Sequence, residues 1–323
     1  MSNKHADLPT PNLSDARNDF SATDGKYSHL PNIDRIALFS EANSLCHKWA
    51  SPADHAQHKH TKVYELAKLK HNAGNASGPD AIVRLPADFD PCKPINVVIY
   101  NHGFEDSAKS SVKNADLNEQ MAEAPPNTVL IVPEWQKQPG SRSGDQGNFQ
   151  KPGEFKHMLE DAFAATPELR GKHLQNVEHI GIVAHSAGYG PATTELYKND
   201  LGDKVNSVTL LDSLYNPKAF DPWLEANIQD LSEGKKHFTN IFGDSTEGPS
   251  KAQAIRVEKM LEHAGLSKSS MVKDYNHGKQ IMDPATLAGH PIIFKYSNAT
   301  VAGKGSHASL PNLYVHNVEV ASL

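Results

Sequence analysis

The segment His179-Ile180-Gly181-Ile182-Val183-Ala184-His185-Ser186-Ala187-Gly188 carries an apolar run straight into a serine flanked by small residues. A serine hydroxyl is a weak nucleophile until a base takes its proton and an acid orients the base. At a sharp strand-to-helix turn the central residue is strained and its hydroxyl is lifted clear of the sheet. The positions two residues to either side must then be small, because they crowd the neighbouring elements. Ala184 and Gly188 stand there, and a helix is predicted from Pro191. Ser186 is therefore the candidate nucleophile of an acyl-transfer reaction.

Other residues would complete such a machine. The apolar run Val97 to Tyr100 leads into Asn101-His102-Gly103-Phe104. Gly103 lets the backbone pass close to a substrate, and the N–H groups of Phe104 and Ala187 are the expected oxyanion donors. His307, in Gly303-Lys304-Gly305-Ser306-His307-Ala308, is the candidate base, on a Gly-rich loop after the last strand. His277 and His290 come before that strand, and His316 lies in the alternating run Leu313 to Val318, which reads as structural. Two aspartates at predicted strand ends compete for the acid: Asp212 after Val208-Thr209-Leu210-Leu211, and Asp244 after Asn240-Ile241-Phe242-Gly243. One of the pair is expected to cap a helix instead.

These residues need a scaffold. From Val63 onward short apolar runs alternate with helix-like segments, the pattern of a mostly parallel sheet with helices on both faces. Strands are predicted at Val63–Lys70, Ala81–Leu85, Asn96–Tyr100, Thr128–Pro133, His179–Ala184, Ser207–Asp212, His237–Phe242 and Pro291–Tyr296. Helices are predicted near Ser110–Glu123, Glu154–Ala165, Pro191–Asn199, Phe220–Leu231 and Ser250–His263. Residues 1–60 divide off as a polar arm, an amphipathic helix over Ile33–Trp49 and a polar connector, leaving 61–323 as the α/β domain.

Composition excludes several classes. The chain has 323 residues and a formal net charge of -6, with no basic excess for nucleic acid. No apolar run reaches the roughly 18–20 residues of a membrane span. The polar N-terminus lacks the apolar core of a signal peptide, so a cytoplasmic location is expected. Two cysteines, Cys46 and Cys92, make no disulfide framework. The cluster His55, His58 and His60 lacks a companion set at ligand spacing and reads as a connector, so neither metal nor cofactor is expected.

With His102-Gly103-Phe104 after one strand, Ala184-His185-Ser186-Ala187-Gly188 between strand and helix, and a late Gly305-Ser306-His307-Ala308, the chain resembles the α/β-hydrolase superfamily over residues 63–323. The resemblance implies an eight-stranded sheet, a Ser186 nucleophile, a His307 base and oxyanion donors at Phe104 and Ala187. Ala184 replaces the first glycine of the usual motif and is small enough to fit. Most members carry the acid beyond a glycine after the seventh strand. Counting on from Gly243 reaches Thr246, with Asp244 and Glu247 to either side. A minority, such as pancreatic-type lipases, carry it directly after the sixth strand, which selects Asp212, with Asp244 as the alternative.

Only about two dozen residues separate Asp212 from His237, too few for a full cap domain. Tyr215, Phe220 and Trp223 are candidates for a pocket wall or for core packing. Gln136–Gly153 is a candidate lid, with Glu134 and Trp135 at its root bordering the cleft and Arg142 within it. The expected activity is cleavage of a small-molecule carboxylic ester through an acyl-enzyme. The alternatives are a peptidase or amidase using the same residues, or a non-catalytic binding protein of the same fold that docks through its N-terminal arm.

Overall fold

Strands rich in Val, Ile, Leu and Phe on both faces need cover on both sides, and helices supply it. The computed structural model describes residues 61–74, 78–135, 146–199, 201–282 and 284–322. The strands are β1 (Lys62–Leu66), β2 (Ala81–Leu85), β3 (Ile95–Asn101), β4 (Thr128–Pro133), β5 (Val177–His185), β6 (Val205–Leu211), β7 (His237–Phe242), β8 (Met271–Asp274) and β9 (Ile292–Tyr296). They form one sheet in the order β1-β2-β4-β3-β5-β6-β7-β9-β8. β2 is antiparallel to both β1 and β4, and every other pairing is parallel.

The α-helices are α1 (Ala108–Asn114), α2 (Leu117–Gln120), α3 (Glu154–Ala165), α4 (Tyr189–Lys198), α5 (Asp221–Ala226), α6 (Ile228–Ser232), α7 (Glu247–His263), α8 (Pro284–Gly289) and α9 (Ser306–Ser322). Successive strand residues point to opposite faces, and β3 shows the result. Val97 and Ile99 enter one core cluster, with Met158, Phe163, Ala192 and Val257. Val98 and Tyr100 enter the other, with Val112, Leu310 and Tyr314.

The predicted fold class holds, with one strand more than expected. Met271–Asp274 was missed because it is four residues long and only partly buried at the sheet edge, so it has no apolar run to betray it. β1 stops at Leu66 rather than Lys70. Lys68 takes φ 62, and the Asp80 carboxylate accepts the Leu69 N–H at 2.8 Å, which turns the chain out of the sheet. The predicted helix Ser110–Glu123 is broken at Asp116, where φ is 51. Phe220–Leu231 is two short helices parted at Asn227. The run Leu313 to Val318 is helical: Leu310, Pro311, Tyr314 and Val315 are buried at helical spacing on α9.

The predicted arm and helix within 1–60, the His55, His58 and His60 cluster, Arg142 and residues 136–145 of the expected lid lie outside the described residues. Among the described residues, no helix is long and apolar enough to cross a membrane.

Candidate active site

The sheet register brings the candidate residues to one edge. Asn101 of β3 pairs with Ala184 of β5, and His185 of β5 pairs with Leu211 of β6. The residues that follow, His102 and Gly103, Ser186, and Asp212, therefore leave the sheet side by side at the carboxyl ends of parallel strands. That edge is where open α/β sheets present their sites.

Ser186 has φ 52, a left-handed conformation costly for a residue with a side chain. The surroundings hold it there. The Ser213 hydroxyl donates to the Ser186 carbonyl at 2.7 Å. The small residue at position 188 has a steric cause: a Cβ on Gly188 would lie 2.3 Å from the Asn101 carbonyl oxygen. A Cβ on Gly103 would meet the Ser186 Cβ at 3.1 Å, so the loop after β3 runs directly against the serine. Ala187, next to Ser186, is buried, whereas the Phe104 ring is exposed.

His307 meets Asp212. Its Nδ1 lies 2.6 Å from Asp212 Oδ2, with the imidazole 37% exposed and the carboxylate only 2%. The other oxygen, Oδ1, accepts from the Gly243 N–H at 3.0 Å and the Thr246 hydroxyl at 2.5 Å. Burial pushes the Asp212 pKa upward, but hydrogen bonds from His307, Thr246 and Gly243 outweigh it, and the carboxyl settles below its ordinary value. Asp212 also has a left-handed φ, 46, and its N–H is fixed to the Ile241 carbonyl at 2.7 Å. Asp244 points elsewhere: it is exposed and accepts from the Tyr296 hydroxyl at 2.5 Å.

His307 belongs to the first turn of α9, not to a loop as the glycines suggested. In a helix its carbonyl would normally accept the N–H four residues on, but residue 311 is proline and has none. His185 Nε2 takes that place, donating to the His307 carbonyl at 3.1 Å. The residue before the serine thus grips the backbone of the candidate base, and the two rings lie 4.8 Å apart. Burial, with the neighbouring His307 adding to it, drives the His185 pKa down to about 4, so this ring is neutral at physiological pH.

Glu134 and Trp135 do not border an open cleft. They are 5% and 0% exposed, because both turn inward to His102. His102 is itself fully buried, with Nε2 3.2 Å from Glu134 Oε1 and Nδ1 3.0 Å from the Gly103 carbonyl. Glu134 Oε2 accepts the Ala108 N–H at the start of α1, at 3.0 Å. Trp135 stacks on the His102 ring and donates from Nε1 to the His102 carbonyl at 3.1 Å. Phe220 and Trp223 are core residues, whereas Tyr215 is 43% exposed. Burial raises the Tyr215 pKa, and hydrogen bonding to Ser186 and Ser245 opposes the rise.

The competing histidines are used elsewhere. His277 stacks on Tyr296 with ring centroids 3.8 Å apart and pairs with Glu247, and His290 bonds the Thr286 carbonyl. His316 falls on α9. Sequence reasoning passed over His102 and His185, although both lie inside the motifs it quoted. Their position beside Gly103 and Ser186 was the available signal.

No family model matches the chain, and no curated protein matches it. Solved structures do. A feruloyl esterase module from Clostridium thermocellum, complexed with sinapinate, is 16% identical, with 82% of this chain and 88% of that one covered at a TM-score of 0.50. A hyperthermophilic esterase from the archaeon Pyrobaculum calidifontis is 12% identical, covering 97% and 96% at a TM-score of 0.39. An S-formylglutathione hydrolase from Agrobacterium tumefaciens is 13% identical, covering 64% and 94% at a TM-score of 0.35. The mostly parallel sheet, its helices on both faces and the likeness to the feruloyl esterase module together show that this chain has the α/β-hydrolase fold.

Proposed function

We propose that the protein is a serine hydrolase that cleaves carboxylic esters of small molecules through an acyl-enzyme. The observation that carries this reading is the 2.6 Å contact between His307 Nδ1 and Asp212 Oδ2 beside a serine held in a strained turn. Asp212 has a depressed pKa and is a carboxylate at neutral pH, so Nδ1 donates to it. The imidazole lone pair is then on Nε2, the atom that must accept the serine proton. Ser186 Oγ attacks the ester carbonyl as His307 takes its proton. The tetrahedral oxyanion is received by the N–H groups of Phe104 and Ala187. The C–O bond to the alcohol breaks as His307 returns the proton to the leaving oxygen. Water, deprotonated by His307, then cleaves the acyl-serine. Aiming backbone donors at the developing charge supplies a few kcal/mol per donor. The choice of an ester follows the feruloyl esterase that shares the fold.

A fluorophosphonate probe should label the wild type, with the adduct on Ser186 by mass spectrometry. Ser186→Ala should lose the label and about 1,000-fold or more of its turnover of short p-nitrophenyl esters. An unlabelled wild type, or a Ser186→Ala variant as fast as the wild type, overturns the reading.

A further inference from the structure

A second group of side chains with chemical capacity sits outside the candidate active site. His71 lies in the connection between β1 and β2, and Glu154 and His157 lie on the first turns of α3. Residues three apart on a helix share a face, and this face is turned toward His71: the His71 and His157 ring centroids are 4.8 Å apart. One ligand atom from each of His71, Glu154 and His157 lies within 4.8 Å of the other two.

A further residue, Asp161, orients the group. Its Oδ2 accepts both the His71 backbone N–H, at 2.8 Å, and His71 Nδ1, at 3.0 Å. A carboxylate only accepts, so Nδ1 carries the proton and Nε2 carries the lone pair. Metal-binding histidines are commonly held in this way, with a carboxylate on the far nitrogen fixing the tautomer and the ring plane. Two neutral imidazoles and one carboxylate are a donor set that zinc favours, with water in the fourth position. Zinc bonds of about 2.1 Å place tetrahedral ligands about 3.4 Å apart, so the widest pair must close by at most about 1.4 Å. His157, the exposed member, has room to make that movement.

We propose that His71, Glu154 and His157, with Asp161 orienting His71, bind a zinc-class divalent cation that clips the β1–β2 connection to α3. Neither the triad nor its oxyanion loop contributes a ligand, so the site stands or falls independently of the proposed hydrolase activity.

The test is titration of metal-stripped full-length protein with zinc sulfate, by calorimetry and by thermal melting. The wild type should bind one equivalent at this site and melt a few degrees higher with zinc. His157→Ala, a change at an exposed position, should lose that binding event and the melting shift while keeping the zinc-free melting temperature. Glu154→Gln should behave likewise, and Asp161→Asn should weaken binding about 10-fold or more. The proposal is overturned if the wild type binds no zinc. It is equally overturned if His157→Ala binds with the same stoichiometry and affinity, which would place the metal on other histidines such as His55, His58 and His60.

Discussion

Asp212 and Asp244 look alike along the chain, each just beyond an apolar strand, yet their surroundings give them different chemistry. Asp212 is buried, with hydrogen bonds on both oxygens, one of them to the imidazole of His307. Asp244 is exposed and holds the Tyr296 hydroxyl, whose pKa it raises to about 12 through that hydrogen bond. Replacing Asp212 by asparagine keeps the shape but removes the charge that stabilises an imidazolium, and it offers an amide N–H that can reverse the tautomer. Asp212→Asn should therefore reduce ester turnover by about 1,000- to 10,000-fold. Asp244→Asn should stay within a few-fold of wild type. Steady-state kinetics of the two variants decide the matter, and an Asp212→Asn enzyme within a few-fold of wild type would remove Asp212 from the proposed triad.

The loop after β3 is positioned by a clamp that joins three elements. Glu134, at the end of β4, holds the His102 ring with one oxygen and the first N–H of α1 with the other. Trp135 covers the same ring and bonds the His102 carbonyl. The clamp thus fixes the residue that leads into Gly103 and Phe104. Glu134→Ala leaves the buried His102 Nε2 and the Ala108 N–H without their acceptor, at about 1–3 kcal/mol for each. It should lower the melting temperature and reduce kcat more than it raises KM, because oxyanion donors act mainly in the transition state. Glu134→Gln, which keeps one acceptor oxygen but sets an amide donor against the other N–H, should recover only part of the losses. If Glu134→Ala lowers only stability and leaves kcat intact, the clamp has no bearing on the proposed oxyanion site. A similar logic places His307: Pro311 withholds an N–H from its carbonyl, and His185 supplies one instead.

The molecule as a whole should respond to pH through two groups with opposite effects, buried Glu195 and partly buried His185. Glu195 on α4 is buried against Asn101, which donates to its Oε2 at 3.0 Å, and burial raises its pKa to about 8. The folded chain then keeps a proton that the unfolded chain loses near the ordinary value of 4.5, so Glu195 costs stability progressively as pH rises from there to about 8. His185 has the reverse sign. The unfolded chain gains a proton below 6.5 that the folded chain refuses until about 4, so His185 costs stability as pH falls through that window. The two oppose each other where their windows overlap, and between 6.5 and 8 only the Glu195 effect remains. Of the two, Glu195→Gln keeps an acceptor for Asn101 and cannot ionise. Urea unfolding at pH 6.5 and 8.5 should show the wild type losing stability with rising pH and Glu195→Gln losing much less. Parallel declines would show that Glu195 is not the group responsible.

The strained turn at Ser186 could be read along the chain because its requirements are local: an apolar strand, small residues at 184 and 188, and a helix after them. Four of the strands and helices were also readable at their exact ends (Ala81–Leu85, Thr128–Pro133, His237–Phe242 and Glu154–Ala165), since continuous apolar runs and helical spacing mark them. Chain order and spacing left other features undecided. Position after the sixth strand favoured Asp212 without excluding Asp244; in the structure one carboxylate meets His307 and the other meets Tyr296. The edge strand β8 has no apolar run of its own, and α9 was hidden by the glycines and proline at its start. The inward roles of Glu134 and Trp135, and the convergence of His71 with Glu154 and His157, join segments far apart in the chain. Such long-range contacts arise only once strands have paired and helices have packed, because side-chain direction depends on the neighbour that each face must cover.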